Sequence, residues 1–81
     1  MTNSEFKEKI SEFENKVHEE GYKDIYFKRY EMYDGSFGIK CFHKDYDESC
    51  YATGTFGSFE EKFEKLVGMF DHYVRNNPKY M

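Results

Sequence analysis

Apolar residues recur along the first twenty positions as one stripe, Phe6, Ile10, Phe13 and Val17, spaced by four, three and four residues. That is the period of an amphipathic helix with a single face to bury. Thr2 and Glu5 have capping-box spacing and Gly21 supplies a left-handed stop, so the pattern predicts a helix over about Asn3–Glu20. From Asp24 to Tyr33 aromatic and β-branched residues interleave with charges, which predicts a strand. Asp34-Gly35 then favours a two-residue type I′ turn into a second strand, Ser36 to about Lys44. The polar stretch 45–48 turns the chain again, and Ser49–Phe56 reads as a third strand. Ser58 stands at capping-box spacing from Glu61, ahead of a second stripe: Phe59, Phe63, Leu66, Val67, Phe70 and Val74. This helix is expected to end near Asn76, before Pro78.

The order α-β-β-β-α predicts one α+β domain over residues 1–81, a three-stranded antiparallel meander with two helices packed on one face. A two-residue loop at Asp34-Gly35 would set Met32 opposite Phe37, Tyr30 opposite Ile39 and Phe27 opposite Phe42. A four-residue loop at 45–48 would set Phe37 opposite Phe56, Cys41 opposite Ala52 and Phe42 opposite Tyr51. Tyr26, Tyr30, Met32, Phe37, Ile39, Cys41, Cys50, Ala52 and Phe56 then fall on the core face. The outer face would carry a row of Phe27, Phe42 and Tyr51 across all three strands. Arg29, Lys40 and Thr53 lie on one side of that row, with Ile25, Lys44 and Ser49 on the other. A slip of one residue in either loop moves these side chains to the opposite face.

Composition explains what such a core is made of. Ile, Val and Leu together number seven, against nine Phe and eight Tyr. Each buried ring removes ~150–250 Å² from water, so rings supply the burial that aliphatics here do not. No apolar run approaches the ~20 residues of a membrane span. Residues 2–9 are polar and charged, without a signal-peptide pattern, so the expected compartment is the cytoplasm, with Cys41 and Cys50 as reduced thiols. The net charge of −4 argues against a general nucleic-acid binder.

Few residues stand in patterns that carry chemistry. Cys41, His43 and Cys50 share the expected core face, but zinc wants a fourth ligand and paired cysteine spacing, so no metal or other cofactor is expected. No nucleophile–base pair with an orienting group and no phosphate-cradling glycine motif stands out, so no enzyme activity is expected. His18 and His72 read as surface residues of helices.

Two candidate surfaces remain. The outer sheet face, with Phe27, Arg29, Lys40, Phe42, Lys44 and Tyr51, is of the stacking-plus-charge type used for single-stranded nucleic acid. Because the rest of the chain repels phosphate, the preferred reading is coverage by a protein partner, a second copy or the tail 79–81. The second surface is the densest charge feature of the chain: Asp45, Asp47, Glu48, Glu60, Glu61 and Glu64 against one base within residues 45–64. Such carboxylates can take the positions of phosphates in a partner's basic groove.

The element order over residues 3–77 is similar to the double-stranded-RNA-binding domain. That family relies on lysines opening its second helix, whereas this chain reads Ser58-Phe59-Glu60-Glu61-Lys62-Phe63-Glu64, so the RNA function is not carried over. A small, acidic, aromatic-rich domain of this order resembles instead the phage-encoded anti-CRISPR proteins, in size, charge and architecture and through no shared motif. The resemblance implies a non-catalytic inhibitor that binds a nucleic-acid- or protein-binding surface of a Cas effector, in the cytoplasm of a bacterial host. The Lys-, Asn-, Tyr- and Phe-rich composition suits an AT-rich phage or host genome. A single-stranded nucleic-acid binder and a homodimeric accessory protein are the alternative readings.

Overall fold

The computed structural model describes residues 1–81. Helix α1 spans Asn3–Glu19, strands β1, β2 and β3 span Ile25–Glu31, Phe37–His43 and Tyr51–Ala52, helix α2 spans Phe59–Tyr73, and a 3-10 turn covers Pro78–Tyr80. The expected α-β-β-β-α order is therefore present, with both helices on one face of an antiparallel sheet ordered β1-β2-β3.

Both helix starts are capping boxes. Thr2 Oγ1 accepts the Glu5 N–H at 3.1 Å while the Glu5 carboxylate accepts the Thr2 N–H at 3.3 Å. Ser58 and Glu61 repeat the exchange at 3.1 and 3.2 Å. Helix α1 ends in a Schellman motif: Gly21 has φ 111°, and the Tyr22 and Gly21 N–H groups donate to the Val17 and His18 carbonyls at 3.0 and 3.1 Å. Tyr22 is thereby folded back into the core, where its ring meets Phe70 edge-on at 5.3 Å. The rest of that core is Phe6, Phe13, Val17, Ile25, Ile39, Cys41, Tyr51, Leu66, Phe70 and Val74.

Both loops differ from expectation by one residue, and the faces of β1 and β3 change with them. In the first hairpin only Gly35 has positive φ (85°), while Asp34 Oδ1 instead accepts the Ser36 N–H and hydroxyl at 2.9 and 2.6 Å. The Met32 N–H donates to the Ser36 carbonyl at 2.8 Å, closing a three-residue loop, Tyr33–Gly35. Phe27 therefore opposes Cys41, not Phe42, and Tyr30 opposes Gly38, not Ile39. Ile25 and Phe27 turn toward the helices, and Tyr26, Lys28 and Tyr30 turn outward.

At the second connection Cys41 opposes Tyr51, not Ala52, while the Cys50 N–H also donates to the Cys41 carbonyl at 2.7 Å. Two residues thus face one, the arrangement of a β-bulge. Tyr51 and Thr53 turn inward, and β3 ends at Ala52 instead of Phe56 because Thr53 Oγ1 takes the Ile39 N–H at 2.9 Å. Met32 and Phe56, expected in the core, are 52% and 82% exposed. One further edge device escaped the pattern: α1 lays Glu14 and His18 along the free edge of β1. The Phe27 N–H donates to Glu14 at 3.0 Å, and His18 Nε2–H donates to the Ile25 carbonyl at 2.6 Å. An edge strand so occupied has fewer groups to offer another chain.

Candidate functional site

The face of the sheet away from the helices is built by the outward positions of β1 and β2: Tyr26, Lys28 and Tyr30 beside Gly38, Lys40 and Phe42. Tyr26 and Phe42 are directly opposite and stack, with ring centres 5.3 Å apart and planes 16° apart. Lys28 and Lys40 are directly opposite as well. Like charges so placed on neighbouring strands repel. Tyr30 lies across Gly38, where an added Cβ would sit 2.6 Å from the Tyr30 hydroxyl oxygen, and that hydroxyl donates to the Thr53 carbonyl beyond. Glycine at position 38 is the seat of this ring. Lys40 Nζ lies 5.0 Å from the centre of the Tyr30 ring, and a shallow depression of about 180 Å³ opens among Lys28, Arg29, Tyr30, Lys40 and Phe42. No carboxylate stands among these six positions, on a chain whose net charge is −4.

This surface shares only Lys40 and Phe42 with the expected one. Phe27 faces the helices, 5.6 Å from Phe13, and Tyr51 is buried with its hydroxyl donating to the Leu66 carbonyl at 2.8 Å. Burial pushes the Tyr51 phenol up from its ordinary pKa. Arg29 also belongs to the helix side: its guanidinium lies 3.7 Å over Phe37, pairs with Glu31 at 3.2 Å and donates to Asn3 at 3.1 Å. Lys44 pairs with Asp24 at 3.1 Å, which raises its pKa. The row Phe27–Phe42–Tyr51 is thus corrected to a Tyr26–Phe42 pair with Tyr30. Tyr26, Lys28 and Tyr30 sit two apart along β1, but Ile25, Phe27 and Arg29 alternate equally well, so only the loop length decides between the sets. Nor does the tail cover this face. Tyr80 sits 6.0 Å from His43 and 5.9 Å from Tyr46, at the β2–β3 connection, where the Tyr46 hydroxyl donates to the Lys79 carbonyl at 3.1 Å.

The acidic residues fall into two groups at opposite ends of α2, a helix ~22 Å long at ~1.5 Å per residue. Beside its C-terminal tail, Asp47 and Glu48 border a cleft with Lys79 and Tyr80 and form no ion pair, while the Asp45 N–H donates to His43 Nδ1 at 3.2 Å. At the other end Glu60 pairs with the Met1 amino group at 2.9 Å, and that hydrogen bond holds its carboxyl below the usual range. Glu61 is used by the capping box, and Glu64 is exposed.

Asp24, His43 and Asp45 bring ligand-type atoms within 4.8 Å of one another. The carboxylates flank opposite ring nitrogens, Asp24 at 3.8 Å from Nε2 and Asp45 at 4.0 Å from Nδ1, and Asp24 already holds Lys44. One ion cannot bridge both sides of the imidazole, so the trio is a buried ring flanked by two carboxylates, one of which already holds Lys44. No family model matches the chain, and no curated protein or solved structure matches it.

Proposed function

We propose that this domain is a non-catalytic binding module that takes a single-stranded nucleic acid across the outer face of its sheet. The observation that carries the reading is the opposed pair Lys28/Lys40 between the Tyr26–Phe42 stack and the flat Tyr30, on positions without a carboxylate. Bases stack on such rings for ~1–3 kcal/mol each, and lysines between them meet the phosphates. The helix acids lie behind the sheet, about one ~10 Å layer away, a distance comparable to the Debye length at physiological salt. The net negative charge lowers the affinity and encounter rate without cancelling the local field. Fluorescence anisotropy with a labelled oligothymidine at low salt tests this. Binding is expected to weaken with salt at a log–log slope of about −1.4 for two phosphate contacts. Combined Lys28→Ala and Lys40→Ala substitution should flatten that slope, and Tyr26→Ala should lower affinity. Absence of binding at low salt, or binding indifferent to these variants, overturns the reading.

A second reading is favoured by Asp47 and Glu48, exposed and unpaired beside the tail. In it the chain is an inhibitor docking these acids on a basic protein surface, of which a Cas effector is the kind that the anti-CRISPR resemblance suggests. Joint Asp47→Lys and Glu48→Lys substitution would then abolish inhibition of an effector it blocks, while reversal of Glu8, Glu12 and Glu19 on α1 would leave it intact.

A further inference from the structure

The bulge between β2 and β3 has a chemical consequence. In a regular ladder successive side chains alternate, so Cys50 and Tyr51 would point to opposite faces. Here both residues oppose Cys41, and the bulge aims the Cys50 side chain back toward the core it borders. The 2.7 Å backbone hydrogen bond sets Cys50 directly beside Cys41, both side chains pack in the same core, and Tyr80 and Lys79 of the tail stand near Cys50. Cys41 is fully buried on the central strand, and Cys50 is half-buried. The two thiols are therefore unequal: one reaches solvent, and the other lies behind it in contact.

We propose that Cys50 and Cys41 form an oxidation site that a hydroperoxide converts to an intramolecular disulfide, with Cys50 attacking and Cys41 resolving. The inequality extends to their acidity. The neighbouring Cys41, with Tyr80 and Lys79 nearby, holds the Cys50 thiol below its ordinary pKa, while Cys50 and burial push Cys41 up. Thiolate is the nucleophile, so near neutral pH Cys50 reacts first. Its sulfur attacks one peroxide oxygen and the O–O bond breaks. The leaving oxygen departs as water or an alcohol after taking a proton, and Cys50 becomes a sulfenic acid. The Cys41 sulfur then attacks the Cys50 sulfur, the S–O bond breaks, and the hydroxyl leaves as water with the Cys41 proton. Two thiols are oxidised by two electrons, and one peroxide is reduced. The tail borders this step, because Tyr80 and Lys79 stand beside the sulfur that changes.

The test treats the full chain with stoichiometric hydrogen peroxide, alkylates it under non-reducing denaturing conditions, and reads intact mass and a peptide map. The expected product is a monomer two hydrogens lighter, without alkylation, whose map joins the Cys41 and Cys50 peptides. Cys41→Ala should leave a Cys50 sulfenic acid that dimedone captures. Cys50→Ser, which leaves the buried thiol in place, should lose peroxide consumption roughly tenfold or more. Wild-type and Cys50→Ser readings decide the matter even where Cys41→Ala fails to fold. Two alkylatable thiols remaining in the wild type, a disulfide joining two chains, or unchanged consumption by Cys50→Ser would overturn the proposal.

Discussion

The two faces of the sheet carry three rings each, and they differ in what meets those rings. On the inner face Phe27 packs on Phe13, Phe37 on Phe6 at 5.8 Å, and the Tyr51 hydroxyl is taken by Leu66 of α2. The cations there are matched too: Arg29 has Glu31 and Asn3, and Lys62 Nζ donates to the Gly57 carbonyl at 3.0 Å above the Phe37 ring. On the outer face Tyr26 and Phe42 stack on each other, Tyr30 lies over Gly38 beside Lys40, and Lys28 and Lys40 form no ion pair. Rings that hold a fold together come with every polar neighbour answered. Under the proposed function, the outer rings beside unneutralised, opposed lysines take an anion that is not part of the chain.

The largest effects should come from breaking the inner face. Phe70 is fully buried and meets both Phe13 and Tyr22 edge-on, so Phe70→Ala should cost about 3–5 kcal/mol in urea unfolding, enough to unfold a domain of this size. On the outer face Tyr26→Ala, at a ring 41% exposed, should cost less than about 1 kcal/mol and act on binding instead. Equal losses from the two substitutions would erase the distinction between the faces.

Next comes the seat of Tyr30. Gly38→Ala places a Cβ inside the ring's contact distance, and the ring has to lift from the sheet and release Thr53. A destabilisation of about 1–3 kcal/mol is expected, together with weaker oligonucleotide binding, both read on the same purified variant. In the pair Gly38→Ala with Tyr30→Ala the cost should shrink, because nothing remains to collide.

How far the sequence leads is instructive at these same residues. Both helices, their capping boxes and their buried stripes follow from local spacing, because a helix is specified by near neighbours. β1 and β2 are legible as strands while β3 is far shorter than its pattern suggests, and β1 carries aromatic residues at both odd and even positions, so its alternation does not say which face is wet. For β1 that choice rests on the Asp34 side chain bonding to Ser36, and for β3 the face is set by the bulge at Cys50. Each is a one-residue effect that a two-residue or four-residue loop expectation passes over. The pattern puts Lys40 and Phe42 on the outer face, where the structure has them, because β2 keeps its expected faces; their partners on β1 differ.

A smaller effect concerns the hairpin that sets this register. The hydrogen bonds from Ser36 hold the Asp34 carboxyl below its ordinary pKa. A depressed folded-state pKa means stability that is present above the unfolded value of about 3.9 and lost as pH falls through the lower folded one. Urea midpoints of the wild type should therefore converge on those of Asp34→Ala as the solution is acidified below that range. A gap that stays constant with pH would mean that the carboxylate charge plays no part. Least of all, Lys28→Ala should leave stability unchanged or slightly raised, by a few tenths of a kcal/mol, since it removes one of two opposed charges.

The claim that the outer face is the binding surface is tested most directly by a ¹⁵N-resolved NMR titration of the intact chain with oligothymidine at low salt. The account predicts that the amides of Tyr26, Lys28, Tyr30, Lys40 and Phe42 shift together along one saturable curve, while those of α1 and α2 stay in place. Shifts confined to the 45–48 connection and the start of α2, or no saturable shift anywhere, would contradict it.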